Sequence, residues 1–549
     1  MKITSSIIWI LLVSMLIVSC TKEVKHGVTS KDELYIYLDS LEKRYESTCK
    51  KIQLDEWSTR TQLGSSEMID PGQLLANIFM DTTTHSTIDE WRDRSGSLAD
   101  KPLARRLELW HRIFIGGSIS FDPEVVSLVR SVQHQATAYA AESNVTPSAA
   151  ERYILRTQKE RNQSRRYKLW AAFNRVENPT IPEYQTLVKA YNRKARSYGF
   201  PNYYSLMLYL QGIDERWLTQ TMHSLETLSR HEYERIIIST KKKFHIKFFA
   251  PWDLPLITVE PTPPPDKYFP SDSMLPFIHR FENEIGFEID SLPISTRTLK
   301  DTNGSQIYAC SIPNDVRIIF DSETGATHYY SGLYCWGEAL HTVSTNVEYP
   351  ILKGYGLVNG SQNPAYYQGI ACFHGSFVSD SAWIINTLHP KDTRFIFTKK
   401  ISAPIVALRQ ALATFSIEYE LYKNPDQDLD SLEGAIMKNI LLIDTSVHPK
   451  ESFKLHSQYF AVPCNSHTGL LAEMIAAQLH EARISKFGNE KTPSPKIASW
   501  LIDFLYRSGE TLEWLERIRN ATGKSVEPGA YLRKLGIEQM NLLLKDSKE

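Results

Sequence analysis

The chain has 549 residues, a formal net charge of −1 and 42% hydrophobic residues. That length and apolar content support a large folded core and exclude a disordered chain. The near-zero charge gives no electrostatic basis for binding nucleic acid, and six cysteines are too few for a disulfide scaffold.

Lys2 precedes the apolar run Ile7 to Val18, which is too short to span a bilayer and follows the basic, apolar, cleavage-site order of a secretory leader. The run ends in Ile17-Val18-Ser19-Cys20, which resembles the bacterial lipobox. That resemblance implies a signal peptide over 1–19, lipidation (palmitate) at Cys20 and a lipid bilayer as partner. A tether would follow over 20–31. A single large domain would occupy 32–549, outside the cytoplasm on the bacterial cell envelope, with a lobe break near 250–270. Cys49, Cys310, Cys335, Cys372 and Cys464 form an odd set, so at least one stays free or pairs outside the chain.

Most of the body reads as helix. Asp32 to Cys49 carries Leu34, Tyr37, Leu41 and Tyr45 at helical spacing. Helices are also expected over 102–115, 149–173, 181–198 and 215–239. Arg156, Lys159, Arg161 and Arg165 in the second of these read as a solvated charged face. Pro251-Trp-Asp253 and Pro263-Pro264-Pro265 mark a structured loop or stiff linker. A short helix is expected over 275–284. Ile307 to Cys310 and Val316 to Phe320 flank Pro313-Asn314-Asp315 and read as one small β-hairpin. Helix returns over 329–345, 403–422, 432–443, 468–485, 496–506 and 511–522, with Gly523 as a C-terminal cap. The fold class is mainly α.

Tyr334-Cys-Trp-Gly-Glu-Ala-Leu-His341 lies where a helical zinc-peptidase signature, H-E-x-x-H, would be expected. The positions of its two metal-binding His are Tyr334 and Glu338, and that of the water-activating Glu is Cys335. The surrounding segments resemble the gluzincin peptidases of the angiotensin-converting-enzyme and thimet-oligopeptidase-like superfamily. Residues 192–204 (NRKARSYGFPNYY) are similar to that family's R-N-x-A-x-x-x-G-Y-x-N segment, and Pro251-Trp-Asp253 to its P-W-D turn. Gly337-Glu-Ala-Leu-His341 resembles the end of H-E-x-G-H-A-L-H. Ala477 to Ala482 resembles a late Q-x-H-E-A segment, and Gly509 to Gly523 a terminal G-x-x-x-x-W…T-G stretch. The resemblance implies an elongated helical ellipsoid split by a deep central channel.

It also implies that the third metal ligand, a Glu, falls on Cys372, and that no Tyr stands near the oxyanion position in Asn465 to Gly469. Zinc hydrolysis needs firm ligands, an open position for water and a carboxylate to take its proton. A phenol ligates poorly at neutral pH, and a thiol is no substitute for a general-base carboxylate. The expectation is therefore a non-catalytic pseudopeptidase with no cofactor, binding a peptide or protein in its channel. The alternative is a peptidase or dipeptidase with zinc in a variant site drawn from Glu338, His341, Cys372 and His374. If Cys335 and Cys372 both flank the vacated metal position, a disulfide between them is conceivable, as are two buried thiols. His448, His456 and His467 read as groove-lining or surface residues. Neither a phosphate-cradling glycine loop nor a G-x-S-x-G nucleophile motif is found.

Overall fold

A computed structural model describes residues 28–62, 69–96, 100–143, 147–173, 180–258, 266–300, 304–322, 324–380, 384–385, 402–444, 458–488 and 494–537. The leader, Cys20, the linker prolines at 263–265, His448 and His456 lie outside them.

The sequence order is almost wholly helical. Helices α1 (Lys31–Thr61), α2 (Pro71–Phe79), α3 (Thr82–Ser95) and α4 (Lys101–Ser120) enclose one apolar cluster. In α1, Leu34, Leu41 and Tyr45 are buried as read, together with Leu38, Cys49 and Ile52, while Tyr37 is only half-buried, its hydroxyl on Thr84, and Ser30 with Glu33 closes a capping box. Then come α5 (Pro123–Ser143), α6 (Pro147–Lys159), α7 (Gln163–Phe173), α8 (Ile181–Ser197), α9 (Tyr203–Leu210) and α10 (Glu215–Phe244). Asp or Asn side chains cap α2, α3, α4, α9 and α10, each stabilising its helix by ~1 kcal/mol.

The long charged helix expected over 149–173 is two helices. The chain breaks at Glu160-Arg161-Asn162, where the Asn162 side chain caps Arg165. Arg156, Lys159, Arg161 and Arg165 are exposed as read, but Arg166 turns inward and is fully buried.

A 3-10 turn, Pro251–Leu256, and α11 (Met274–Glu284) lead into the sheet. Its strands are β1 (Ile294–Leu299), β2 (Gln306–Ser311) and β3 (Asp315–Asp321), in the order β1-β3-β2. The expected hairpin is the antiparallel β2–β3 pair. The expectation of a hairpin alone is corrected by β1, which lies parallel to β3 with Ile294 opposite Val316. Its Ser-Thr-Arg-Thr middle is half exposed and carries little apolar alternation, so its sequence signal is weak.

Helices α12 (Gly325–Ser344) and α13 (Pro364–Gly375) follow. The C-terminal part holds α14 (Ser402–Lys423), α15 (Leu429–Ile440), α16 (Gln458–Ala461) and α17 (Thr468–Phe487). After these, α18 (Lys496–Leu501) runs into a π turn, Ile502–Tyr506, and then come α19 (Trp514–Thr522) and α20 (Gly529–Lys534). Helix 496–506 is thus interrupted, and the helix expected from 511 starts at Trp514. The closest packing joins α12 to α13 and α13 to α17, within the largest apolar cluster. No described helix is long and apolar enough to cross a membrane.

Candidate functional site

The segment with the peptidase-like spacing is α12, which leaves β3 through Gly325 at φ +83°. Two glycines bring its neighbours close. A Cβ on Gly337 would lie 2.6 Å from the His374 ring of α13, and one on Gly369 of α13 would lie 2.7 Å from Ile475 of α17. Helix α12 is therefore buried on most sides. Its half-exposed stripe includes Tyr330, Tyr334 and Glu338, four residues apart and so on one face.

Cys372 joins this stripe. The Tyr330 hydroxyl donates to Cys372 Sγ at 3.6 Å, and the Tyr330 and Tyr334 rings are 6.1 Å apart. The structure thus brings the residues at both His-ligand positions and at the third-ligand position into one neighbourhood. Burial holds the Tyr334 phenol well above 10, with the Glu338 charge adding to it, and pushes the Cys372 thiol up to about 11. With no ion bound, both groups are protonated at neutral pH.

Cys335, at the general-base position, is buried, and burial followed by the Glu338 charge raises its thiol well above 9. At about 100° per residue it sits roughly 140° around the helix from Tyr330, away from the α13 side. That rotation corrects the disulfide considered above: Cys335 and Cys372 are both free thiols, as are Cys49, Cys310 and Cys464.

The other variant-site candidates are engaged elsewhere. His374 is fully buried, with Nδ1 2.9 Å from Glu282 Oε1 and Nε2 3.0 Å from the Tyr506 hydroxyl. His341 is enclosed by the rings of Tyr366, Tyr367 and Tyr506, and neither of its ring nitrogens has a hydrogen-bond partner. Burial, with the Arg517 charge, keeps it neutral. No three of Cys335, Glu338, His341, Cys372 and His374 place donor atoms within coordinating reach of one another. His467 is buried too, bonded to the Tyr204 hydroxyl and to Gln211 Oε1. The motif segments mostly brace the fold: Asn192 bonds the Tyr422 carbonyl and the Tyr203 amide, and Gln478 bonds Thr522 and the carbonyls of Lys524 and Ser525.

Glu338 differs from its neighbours. Its carboxylate has neither hydrogen bond nor ion pair, and burial pushes its pKa up to about 7. An acid whose folded pKa is raised contributes stability fully below its unfolded value of 4.5, and loses it as pH rises through 7. The full shift would correspond to ~3 kcal/mol, which partial solvent access reduces to roughly 1–2 kcal/mol. Glu338→Gln is expected to flatten the decline in urea-unfolding free energy between pH 5 and pH 8 by that amount. Some decline should remain, because buried Glu418 is also pushed up to about 7. An unchanged slope in Glu338→Gln would refute this assignment.

One cluster escaped sequence reading. His85 and Asp89 of α3 and His111 of α4 bring one donor atom each within 4.8 Å of the others. The i, i+4 spacing of the first two was a readable signal, but their meeting with His111 is tertiary. The expectation that the chain uses no metal therefore has no support in the structure.

No protein-family model matches the chain, and no curated protein sequence matches it. Solved structures do resemble it. An M32 carboxypeptidase from Deinococcus radiodurans superposes with TM-score 0.58 at 15% identity, covering 90% of this chain and 97% of its own. Metallocarboxypeptidase 1 of Trypanosoma cruzi gives 0.58 at 14%, covering 90% and 98%. A carboxypeptidase of Pyrococcus furiosus gives 0.55 at 14%, covering 93% and 99%. At these identities the likeness establishes the architecture: this chain has a mainly α, metallopeptidase-like fold over about nine-tenths of its length.

Proposed function

We propose that this protein is a lipid-anchored, gluzincin-like pseudopeptidase that holds a peptide or protein segment in a cleft beside α12 without cutting it. The reading rests on Tyr334, Glu338 and Cys372, the residues at the ligand positions that the sequence resemblance implies, standing in one neighbourhood, with Cys335, at the implied base position, on another face of α12. The peptidase alternative would need three donors drawn from Glu338, His341, Cys372 and His374, and no three of them bring donor atoms within reach of one another.

The unpaired Glu338 carboxylate beside two tyrosine rings suits a peptide with a basic group, an amine or guanidinium that offsets the charge and lies against the rings. Cys20 would tether the domain to a membrane surface, leaving the cleft free to meet envelope peptides.

The test is a basic-peptide library offered to the purified protein with and without added zinc, read by fluorescence anisotropy and by mass spectrometry of the peptides. Saturable binding without new fragments is expected. Affinity should rise several-fold from pH 6 to pH 8 as Glu338 ionises, and that rise should vanish in Glu338→Gln. Zinc-dependent fragments would overturn the reading, as would the absence of any bound peptide. For the anchor, labelled palmitate should enter the wild type and not Cys20→Ala.

A further inference from the structure

We propose that His85, Asp89 and His111 form a binding site for one divalent transition ion of the zinc class, clamped between α3 and α4, on elements that carry none of the α12–α13 row.

Geometry comes first. His85 and Asp89 stand one turn apart on α3, so they share a face, and α4 packs on α3 to supply His111. His85 Nε2 lies 3.6 Å from Asp89 Oδ2, beyond hydrogen-bonding length, and His111 Nδ1 lies 2.6 Å from Asp89 Oδ1. Donors on a tetrahedral ion with bonds of about 2.0–2.2 Å stand roughly 3.3–3.5 Å apart. The first gap is close to this although the two are measured to different oxygens of Asp89, and one donor atom from each of the three residues lies within 4.8 Å of the others. The second opens by under ~1 Å when the ion replaces the shared proton.

The orphaned nitrogen is the second observation. His85 Nε2 is buried and has no hydrogen-bond partner. A plain structural pair of Asp89 with His111 accounts for those two residues and leaves His85 unexplained. A metal accounts for all three.

The protonation states agree. Burial lowers the His85 pKa, against the pull of Asp89, so its imidazole is neutral and its lone pair is available. Burial raises Asp89, but the hydrogen bond from His111 and its basic neighbours, Arg92 among them, outweigh it and lower its pKa, so the carboxylate stays ionised. Phe114 stacks on His85 at 5.3 Å, and Tyr209 meets the edge of His111 at 6.2 Å, which holds both ring planes. Arg92, paired with Asp93 at 3.1 Å, opposes a cation here and limits its affinity. Two imidazoles and one carboxylate are a donor set for zinc, cobalt, nickel or copper rather than for calcium or magnesium. Three protein donors leave a fourth position, on the Asp89 side where that residue is 42% exposed, to water or to a donor from outside the chain.

The test titrates cobalt chloride into the purified metal-free protein and follows the visible d–d absorption, then displaces cobalt with zinc chloride. About one cobalt per chain is expected, released by zinc. The bands should be lost in His85→Ala, His111→Ala and Asp89→Ala and kept in Glu338→Gln and Cys372→Ser. Unfolding midpoints without metal establish which variants fold. Asp89→Ala changes a partly exposed side chain and decides the matter if either histidine variant does not fold. The proposal is overturned if the wild type takes up no cobalt saturably, or if folded variants bind it like the wild type. It is also overturned if the bands vanish with Cys372→Ser, which would place the ion at the α12–α13 row and count against the pseudopeptidase reading as well.

Discussion

Asp253→Ala is expected to lower the unfolding free energy by about 3–5 kcal/mol, measured as a shift of the urea midpoint at constant slope. Asp253 and Arg166 are both fully buried and 2.7 Å apart. One carboxylate organises three stretches of chain. Oδ1 accepts from Arg166 Nε at 2.8 Å, and Oδ2 accepts from Gln163 Nε2 at 2.7 Å and from the Ala250 amide at 3.0 Å. Arg166 Nη1 in turn donates to the carbonyls of Glu160 and Arg161, closing the break between α6 and α7. Removing the carboxylate leaves a guanidinium buried without a counter-charge, and that penalty dominates, because the pair itself stabilises weakly against its own desolvation. The double variant Asp253→Leu with Arg166→Leu should therefore recover most of the loss. If Asp253→Ala cost less than ~1 kcal/mol, water would have to reach Arg166, and the structure around the turn would be wrong.

That turn shows where the sequence was legible. Pro251-Trp-Asp253 is a local pattern, and it forms a local 3-10 turn in which Asp253 caps Ala250. Its partner Arg166 sat in a run of basic residues that reads as solvated, and nothing local separates Arg166 from Arg165 next to it. Helix α8 was readable to within a residue at its ends, and the starts of α1 and α10 were equally legible, but α10 runs five residues past the expected end and α1 twelve, to Thr61. β1 was not, because its pairing with β3 is supplied by another segment and its own residues are polar. At the site, the shared face of Tyr334 and Glu338 was legible because helical spacing converts position into face. Whether His341 and His374 were ligands or packing was not, since that depends on Tyr366, Tyr367, Tyr506 and Glu282, contributed by three other elements. The His85, Asp89 and His111 cluster was hidden for the same reason.

His374→Ala should cost ~3–5 kcal/mol and should also disturb the Tyr334–Glu338 face of α12. His374 bonds Glu282 of α11 on one side and the Tyr506 hydroxyl in the π turn on the other, and all three side chains are buried. Glu282 Oε2 already has no partner, so loss of the imidazole would strand the whole carboxyl group. Gly337 lies against the same ring, so His374 also sets the distance between α12 and α13. With alanine at 374, α12 loses the surface it rests on, and Glu338 shifts relative to Cys372. Two measurements separate these effects. Glu282→Gln in the His374→Ala background replaces the stranded carboxyl group and should restore part of the stability, read from the urea midpoint. It does not rebuild the ring beneath Gly337, so affinity for a basic peptide should stay depressed. Recovery of stability and affinity together would mean that the ring does not position α12, and that the histidine serves Glu282 alone.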